Sequence, residues 1–305
     1  MAYMYYIDYK SKNNFHWYKK LYNRIFFNYE IVNFDTNKKI VLINKKYLNK
    51  RACKKLNKIL RETGNAKDSC TIISNDIKLK YNLKNNFVAN RKNTMKCMIL
   101  NILTCIEQYM GADFRNEDIY VSLCEEIDVN FILDIAERFK SVNIVTNKIK
   151  KIRRLTKKLE DNYDLNIAVS NNKRKSLKKS KLLVNVGFDT ETMEEFSLNR
   201  NCTIVNLSNN KLNLKNSFHG VIVESIELGY NNRYKSVINE RNYNKQDLYE
   251  SFIYDLSYNE AKRRAIEDCC YIKSFIGNNN YIIANEFRNN FTKSSIKLDK
   301  IQKKD

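Results

Sequence analysis

The sequence predicts an α/β protein: a parallel sheet covered on both faces, preceded by a smaller α/β domain and followed by helices. Three observations predict it. From residue 118 onward, short apolar runs alternate with amphipathic stretches of helical period. The runs DIYVSL, VNIVT, LNIAVS, KLLVNV and CTIVNL show little in–out alternation, as expected of strands buried on both faces. The chain has 305 residues, 43% of them hydrophobic, which suffices for two modest domains with a sizeable core.

Residues 1–37 are dense in aromatics, among them Tyr6, Tyr9, Trp17, Tyr22 and Phe26. They are expected to pack on the first domain as strands or a short helix. Residues 38–115 read as a small α/β domain. KIVLI (39–43) is a buried strand, Tyr47 to Glu62 a helix stopped by Gly64, and CTIIS (70–74) a second strand. Met95, Met98, Ile99, Ile102, Leu103, Ile106 and Met110 recur at spacings of three and four, a helix ended by Gly111.

Residues 116–230 read as the parallel-sheet domain. DIYVSL (118–123) is followed by a helix from Val129 to Lys140 and by the strand VNIVT (142–146). A helix from Lys148 to Asp161 buries Ile149, Ile152, Leu155 and Leu159. LNIAVS, a short lysine-rich helix, KLLVNV, a segment near Thr192–Leu198, CTIVNL and a last strand GVIVESIEL (220–228) complete the sheet. Residues 231–292 form a C-terminal helical segment. A polar loop (230–243) leads into a helix from Asp247 to Tyr254 and then a helix from Ser257 to Gly277, with Ser257 and Glu260 at capping-box spacing. Residues 293–305 are expected to be a frayed basic tail.

The strand–helix order from about 115 to 275 resembles the NADP-binding half of shikimate dehydrogenase, and so implies a Rossmann-like fold. Thr146-Asn147-Lys148 resembles the turn that holds the adenosine 2′-phosphate in that family, and Asn185 stands where the family closes its next strand. CTIVNLSNN and His219-Gly220-Val221 stand where the last strands begin. The chain also resembles a clostridial-type family. The resemblance implies Asn147, Lys148, Lys151, Asn185 and Gly187 as cofactor-binding positions, and NADP as the cofactor to consider.

Residues 123–128, Leu-Cys-Glu-Glu-Ile-Asp, depart from it. A dinucleotide diphosphate needs glycine for close backbone approach and a helix N-terminus aimed at it. This turn has no glycine and up to three negative charges. One carboxylate roughly 5 Å from a phosphate, at an effective dielectric near 20, repels it by about 3 kcal/mol. Binding at tens of micromolar is worth only about 6 kcal/mol in all. The acids instead suit the start of the following helix, whose dipole they stabilise. The family's catalytic lysine lies in a proline-containing stretch, and this chain has no proline, so no catalytic residue carries over. The expected function is therefore a non-catalytic or activity-lost Rossmann-like binding or regulatory protein for a small anionic, phosphate-bearing ligand. An NADP-dependent oxidoreductase of shikimate-dehydrogenase type is one alternative.

A nucleic-acid-binding protein is the other. The net charge is +21, but the wealth of Lys, Asn, Ile and Tyr beside six Gly and no Pro is what AT-rich coding produces, so local concentration is the better guide. Lys150, Arg153, Arg154, Lys157 and Lys158 cover the polar side of the 148–161 helix, and Lys173, Arg174 and Lys175 open a second basic run expected to adjoin it. No sequence-reading motif accompanies them.

The eight cysteines form no Cys-x-x-Cys pair, and with two histidines they assemble no zinc site of ordinary spacing. No apolar run approaches 18 residues and the start lacks a signal-peptide pattern, so no membrane span and a cytoplasmic protein are expected. Nothing in the sequence sets an oligomeric state.

Overall fold

The computed structural model describes residues 4–9, 29–35, 38–44, 47–62, 70–74, 77–79, 86–88, 91–125, 127–163, 165, 167–215, 217–229, 245–253, 256–277 and 280–302. The middle of the aromatic segment and the expected loop at 230–243 lie outside them. The chain divides into two compact units: Met1–Arg91 with Tyr230–Asp255, and Lys92–Gly229 with Leu256–Asp305.

The first unit opens with β1 (Met4–Tyr9), β2 (Tyr29–Asp35), β3 (Lys38–Ile43) and the short β4 (Tyr47–Leu48). Helix α1 (Lys50–Glu62), β5 (Cys70–Ile73), β6 (Lys78–Leu79) and β7 (Asn86–Val88) follow. Its main sheet has the order β2-β3-β1-β5-β7, parallel except for the β2–β3 pair. Asn49 starts α1 by accepting the Ala52 N–H at 3.0 Å, and Ala52, Cys53 and Leu56 face the core with Ile7, Val41 and Ile73.

The second unit begins with α2 (Lys92–Cys97) and α3 (Ile99–Met110). The single helix expected here is broken at Met98, while Gly111 closes α3 in the left-handed conformation (φ 65°), as its position implied. Then come β8 (Asp118–Ser122), α4 (Val129–Ala136), β9 (Ser141–Val145), α5 (Ile149–Tyr163), β10 (Ile167–Ser170), β11 (Leu182–Asn185), α6 (Thr190–Glu195), β12 (Thr203–Asn206) and β13 (Val221–Val223). Their order is β10-β9-β8-β11-β12-β13 and every pair is parallel. Counted along the chain this is 3-2-1-4-5-6, the Rossmann order, with its switch point between β8 and β11.

The register sorts the core into two faces. Tyr120, Val145, Leu183, Ile204 and Ile222 share one face and meet Leu177, Phe188, Met193 and Phe196. Ile119, Val121, Val142, Ile144, Val184 and Val205 are buried on the other. There α4 packs on β9 and against α5, as two successive right-handed crossovers require.

Four expected elements differ. The lysine-rich segment 173–179 is a series of turns, not a helix. GVIVESIEL is two strands: β13 joins the parallel sheet, and β14 (Ser225–Gly229) joins an antiparallel one. The switch was visible as a change from the unbroken VIV to the alternating SIELG. After α7 (Lys245–Ile253), which belongs to the first unit, α8 (Tyr258–Glu267) opens with the expected Ser257–Glu260 capping box. It stops well short of Gly277. Cys269 turns the chain at φ 49°, and β15 (Tyr271–Gly277) pairs with β14 and with β16 (Asn280–Ile282). The apolar pairs Tyr271-Ile272 and Phe275-Ile276 in YIKSFIG stand four apart and fit a helix as well as a strand, and pairing with β14 decides for the strand. The expected frayed tail is largely helical, within α9 (Ala284–Gln302). Among the described residues no helix is long and apolar enough to cross a membrane.

Leu183 stands at the centre of the first face and is fully buried. Leu183→Ala is expected to lower unfolding stability by about 2–5 kcal/mol, read as a shifted denaturant midpoint with an unchanged slope.

Candidate functional site

In an open α/β sheet the ligand crevice lies beyond the carboxyl ends of the strands at the switch point. Here those ends carry Ser122 on β8, Asn185 on β11 and Asn206 on β12, all fully buried. Ser122 Oγ donates to Asn185 Oδ1 at 2.5 Å, and the Phe188 N–H donates to the same oxygen at 2.9 Å. Asn185 Nδ2 donates to Phe188 O at 2.8 Å and to Asn206 Oδ1 at 2.9 Å. The Asn185 amide thus uses two acceptor and two donor positions, its full capacity.

The chain of bonds continues across the sheet. Asn206 Nδ2 donates to Glu224 Oε2 at 2.8 Å and to Asn210 O at 2.9 Å. Glu224, just past β13, accepts the Leu212 N–H through its other oxygen at 3.1 Å. Lys92, from α2, places its ammonium 2.7 Å from Asn206 O, 2.8 Å from Glu224 O and 3.5 Å from the Glu224 carboxylate. One serine, two asparagines, one glutamate and one lysine thereby bridge the carboxyl ends of β8, β11, β12 and β13. Buried polar groups are costly unless bonded, and here the partners are the protein's own.

The turn after β8 faces the turn after β11. Gly187 lies so close to it that an added Cβ would stand 2.7 Å from the Cys124 amide nitrogen. A side chain at 187 therefore forces the two turns apart. Cys124 is half-buried, and its Sγ lies 3.6 Å from Asn147 Oδ1. Burial pushes its thiol pKa up; Lys148 opposes this, while Asp189 and Glu125 add to it. Asp128 caps α4 by accepting the Asn130 N–H at 2.9 Å, which accounts for one acid of the turn. Glu125 is exposed and Glu126 lies outside the described residues.

Of the sequence-predicted positions, Asn147 and Lys148 are exposed at the end of β9, beside Cys124. Lys148 N–H donates to Thr146 Oγ1 at 3.0 Å, and its carbonyl accepts from Lys151, exposed in the first turn of α5. Gly187 joins this group through Cys124, whereas Asn185 lies inside the buried chain of bonds. Lys150, Arg154, Lys157 and Lys158 are exposed on α5, and Arg153 belongs to the same helix. Lys173, Arg174 and Lys175 are exposed in the turns after β10, with Lys173 paired to Glu195 at 2.7 Å. The two basic segments were expected to adjoin on one surface. They instead flank the edge strand β10 from opposite faces, because α5 packs beside α4 while Leu177 enters the core on the other side.

Sequence reasoning missed Lys92, Asn206 and Glu224. One signal was present: KLLVN and CTIVN each end an apolar run on asparagine, and register aligns Asn185 with Asn206. Among the described residues no cluster of His, Cys, Asp and Glu fits a metal ion.

No protein-family model and no curated protein matches the chain. Among solved structures it is similar to L-tryptophan dehydrogenase from Nostoc punctiforme, at 9% identity over 96% of this chain and 90% of that one, with a TM-score of 0.33. At that distance the likeness says nothing of activity.

Asn185→Leu strands the Ser122 hydroxyl, the Phe188 amide and one side of Asn206. It is expected to cost about 2–4 kcal/mol, measured by equilibrium unfolding. The raised Cys124 pKa means that less of this thiol is ionised at pH 8 than in an unstructured peptide. Alkylation by iodoacetamide, followed by peptide mass mapping, is expected to accelerate at a higher pH for Cys124 in the folded chain than after denaturation.

Proposed function

We propose that this chain is a Rossmann-like binding module without dehydrogenase chemistry, which holds a small phosphate-bearing anion at the end of β9 on Asn147, Lys148 and Lys151. The observation that carries this is the bonded chain from Ser122 to Lys92, which commits the polar groups at the carboxyl ends of the strands to one another. Two further features support it. The turn at 123–128 has no glycine to admit a diphosphate, and Asp128 is committed to capping α4. Asn147, Lys148 and Lys151 are exposed and cationic or amide-bearing at the start of a helix of 15 residues. An NADP-dependent oxidoreductase of shikimate-dehydrogenase type needs the diphosphate grip that this turn lacks.

Calorimetric titration with adenosine 2′-monophosphate, NAD and NADP tests the proposal. The monophosphate is expected to bind with a Kd on the order of 0.1–1 mM, NADP no more than a fewfold tighter, and Lys148→Glu to abolish both. NADP binding a hundredfold tighter than the monophosphate, with an absorbance change at 340 nm on adding a hydroxy acid, contradicts it.

The exposed cations on both sides of β10 favour a second function, non-specific nucleic-acid binding around that sheet edge. Retardation of a 30-mer duplex is then expected at 50 mM salt and to weaken by about tenfold or more at 200 mM. The double variant Lys157→Glu/Lys158→Glu should flatten that dependence. No shift at 50 mM salt removes this second function.

A further inference from the structure

We infer that the amino-end rim of the parallel sheet holds a binding site for a small carboxylic acid with a flat or branched apolar body. A cavity of about 130 Å³ lies beside α6, next to the residues that lead into β12 and β13. It is at the opposite rim from the Ser122–Lys92 chain and shares no residue with it. Met193 and Phe196 are buried and form its floor, while Leu198, Leu214 and Phe218 are half-buried and form its walls. The exposed part of the lining is polar: the charged Glu194, Arg200 and Lys215, with Ser217 beside them.

The charges do not cancel. Lys215 and Glu194 pair with each other at 3.1 Å. Arg200 has no ion-pair partner among the described residues, which leaves one net positive charge at the mouth. The backbone that carries it is fixed on both sides. Arg200 O accepts the His219 N–H at 2.8 Å, and the preceding residue, Asn199, donates its N–H to Leu177 O at 3.0 Å. A guanidinium at the mouth of a hole with an apolar floor suits an anionic head on an apolar body, and its planar fork suits a carboxylate in particular. Size narrows the body. An apolar cavity of roughly 150 Å³ accommodates a benzene ring, so this one takes a single ring or a branched chain of four or five carbons.

Gly220 explains why the wall stands where it does. A Cβ there would lie 2.4 Å from the Phe218 ring and 2.0 Å from Cys202 O. The Phe218 ring therefore rests against the space that the missing side chain leaves. The glycine that in sequence marked the entry to the last strands is, in the fold, the seat of the cavity wall.

Benzoate, with benzyl alcohol as its neutral counterpart and acetate as its ringless one, tests the site by saturation-transfer NMR and calorimetry. Benzoate is expected to bind at about millimolar Kd or better, at least tenfold tighter than either benzyl alcohol or acetate. Arg200→Gln, an exposed change that leaves the core intact, should remove the advantage over benzyl alcohol and leave benzyl alcohol within about twofold. Phe218→Ala should weaken both aromatic probes. Equal affinity for benzoate and benzyl alcohol, benzoate binding that survives Arg200→Gln, or no binding at about 10 mM overturns the inference.

Discussion

The second unit depends on how its parallel sheet ends. Parallel strands buried on both faces finish together at one rim, and the polar groups there need partners. In this chain side chains supply them. Ser122, Asn185 and Asn206 stand in adjacent positions at the ends of β8, β11 and β12, and Glu224 and Lys92 close the series beyond β13. Each asparagine both donates and accepts, so the bonds form one connected network in which losing a member leaves others unsatisfied. Such a rim finds its hydrogen-bond partners within the protein. That property separates the proposed binding role from dehydrogenase chemistry on the same sheet.

On the proposed reading, binding lies outside the centre of the rim. The turns after β8 and β11 touch at Gly187 and Cys124, and the exposed residues nearest them are Asn147 and Lys148. At the opposite rim, the connection from β12 to β13 folds back over α6 and leaves a cavity with an apolar floor and an arginine at its mouth. Both places are built from loops on a fixed scaffold, where binding residues commonly lie. The acidic turn, unsuited to phosphate, is in part local helix chemistry, since Asp128 satisfies a free N–H at the start of α4.

Much of the sheet was legible because its strands are uninterrupted apolar runs and its helices have clear stripes: β8 to β12, α4 and α5 fall where periodicity placed them. Legibility failed where two structures fit one local pattern. The apolar stretch beyond Ser257 suits a helix or a strand, and pairing with β14 decides for the strand after Cys269. GVIVESIEL reads as one strand until Glu224, drawn into the polar network, lets the chain change sheets. Of the site, Asn185 and the 123–128 turn were visible, because apolar runs ending in Asn and a glycine-free turn are sequence features. Lys92 was not. It precedes β8 by a long interval, and only the fold brings its ammonium to the carbonyls of Asn206 and Glu224. The basic segments were legible as charge but not as geometry, since handedness of the crossovers, not proximity in sequence, sets them on opposite faces.

The most direct measurement is a crystal structure grown in several millimolar NADP. The account predicts that the Lys92 ammonium stays on the carbonyl oxygens of Asn206 and Glu224 and that no diphosphate density lies against residues 123–128. An ordered diphosphate across that turn, with the lysine and glutamate displaced from the strand ends, contradicts it.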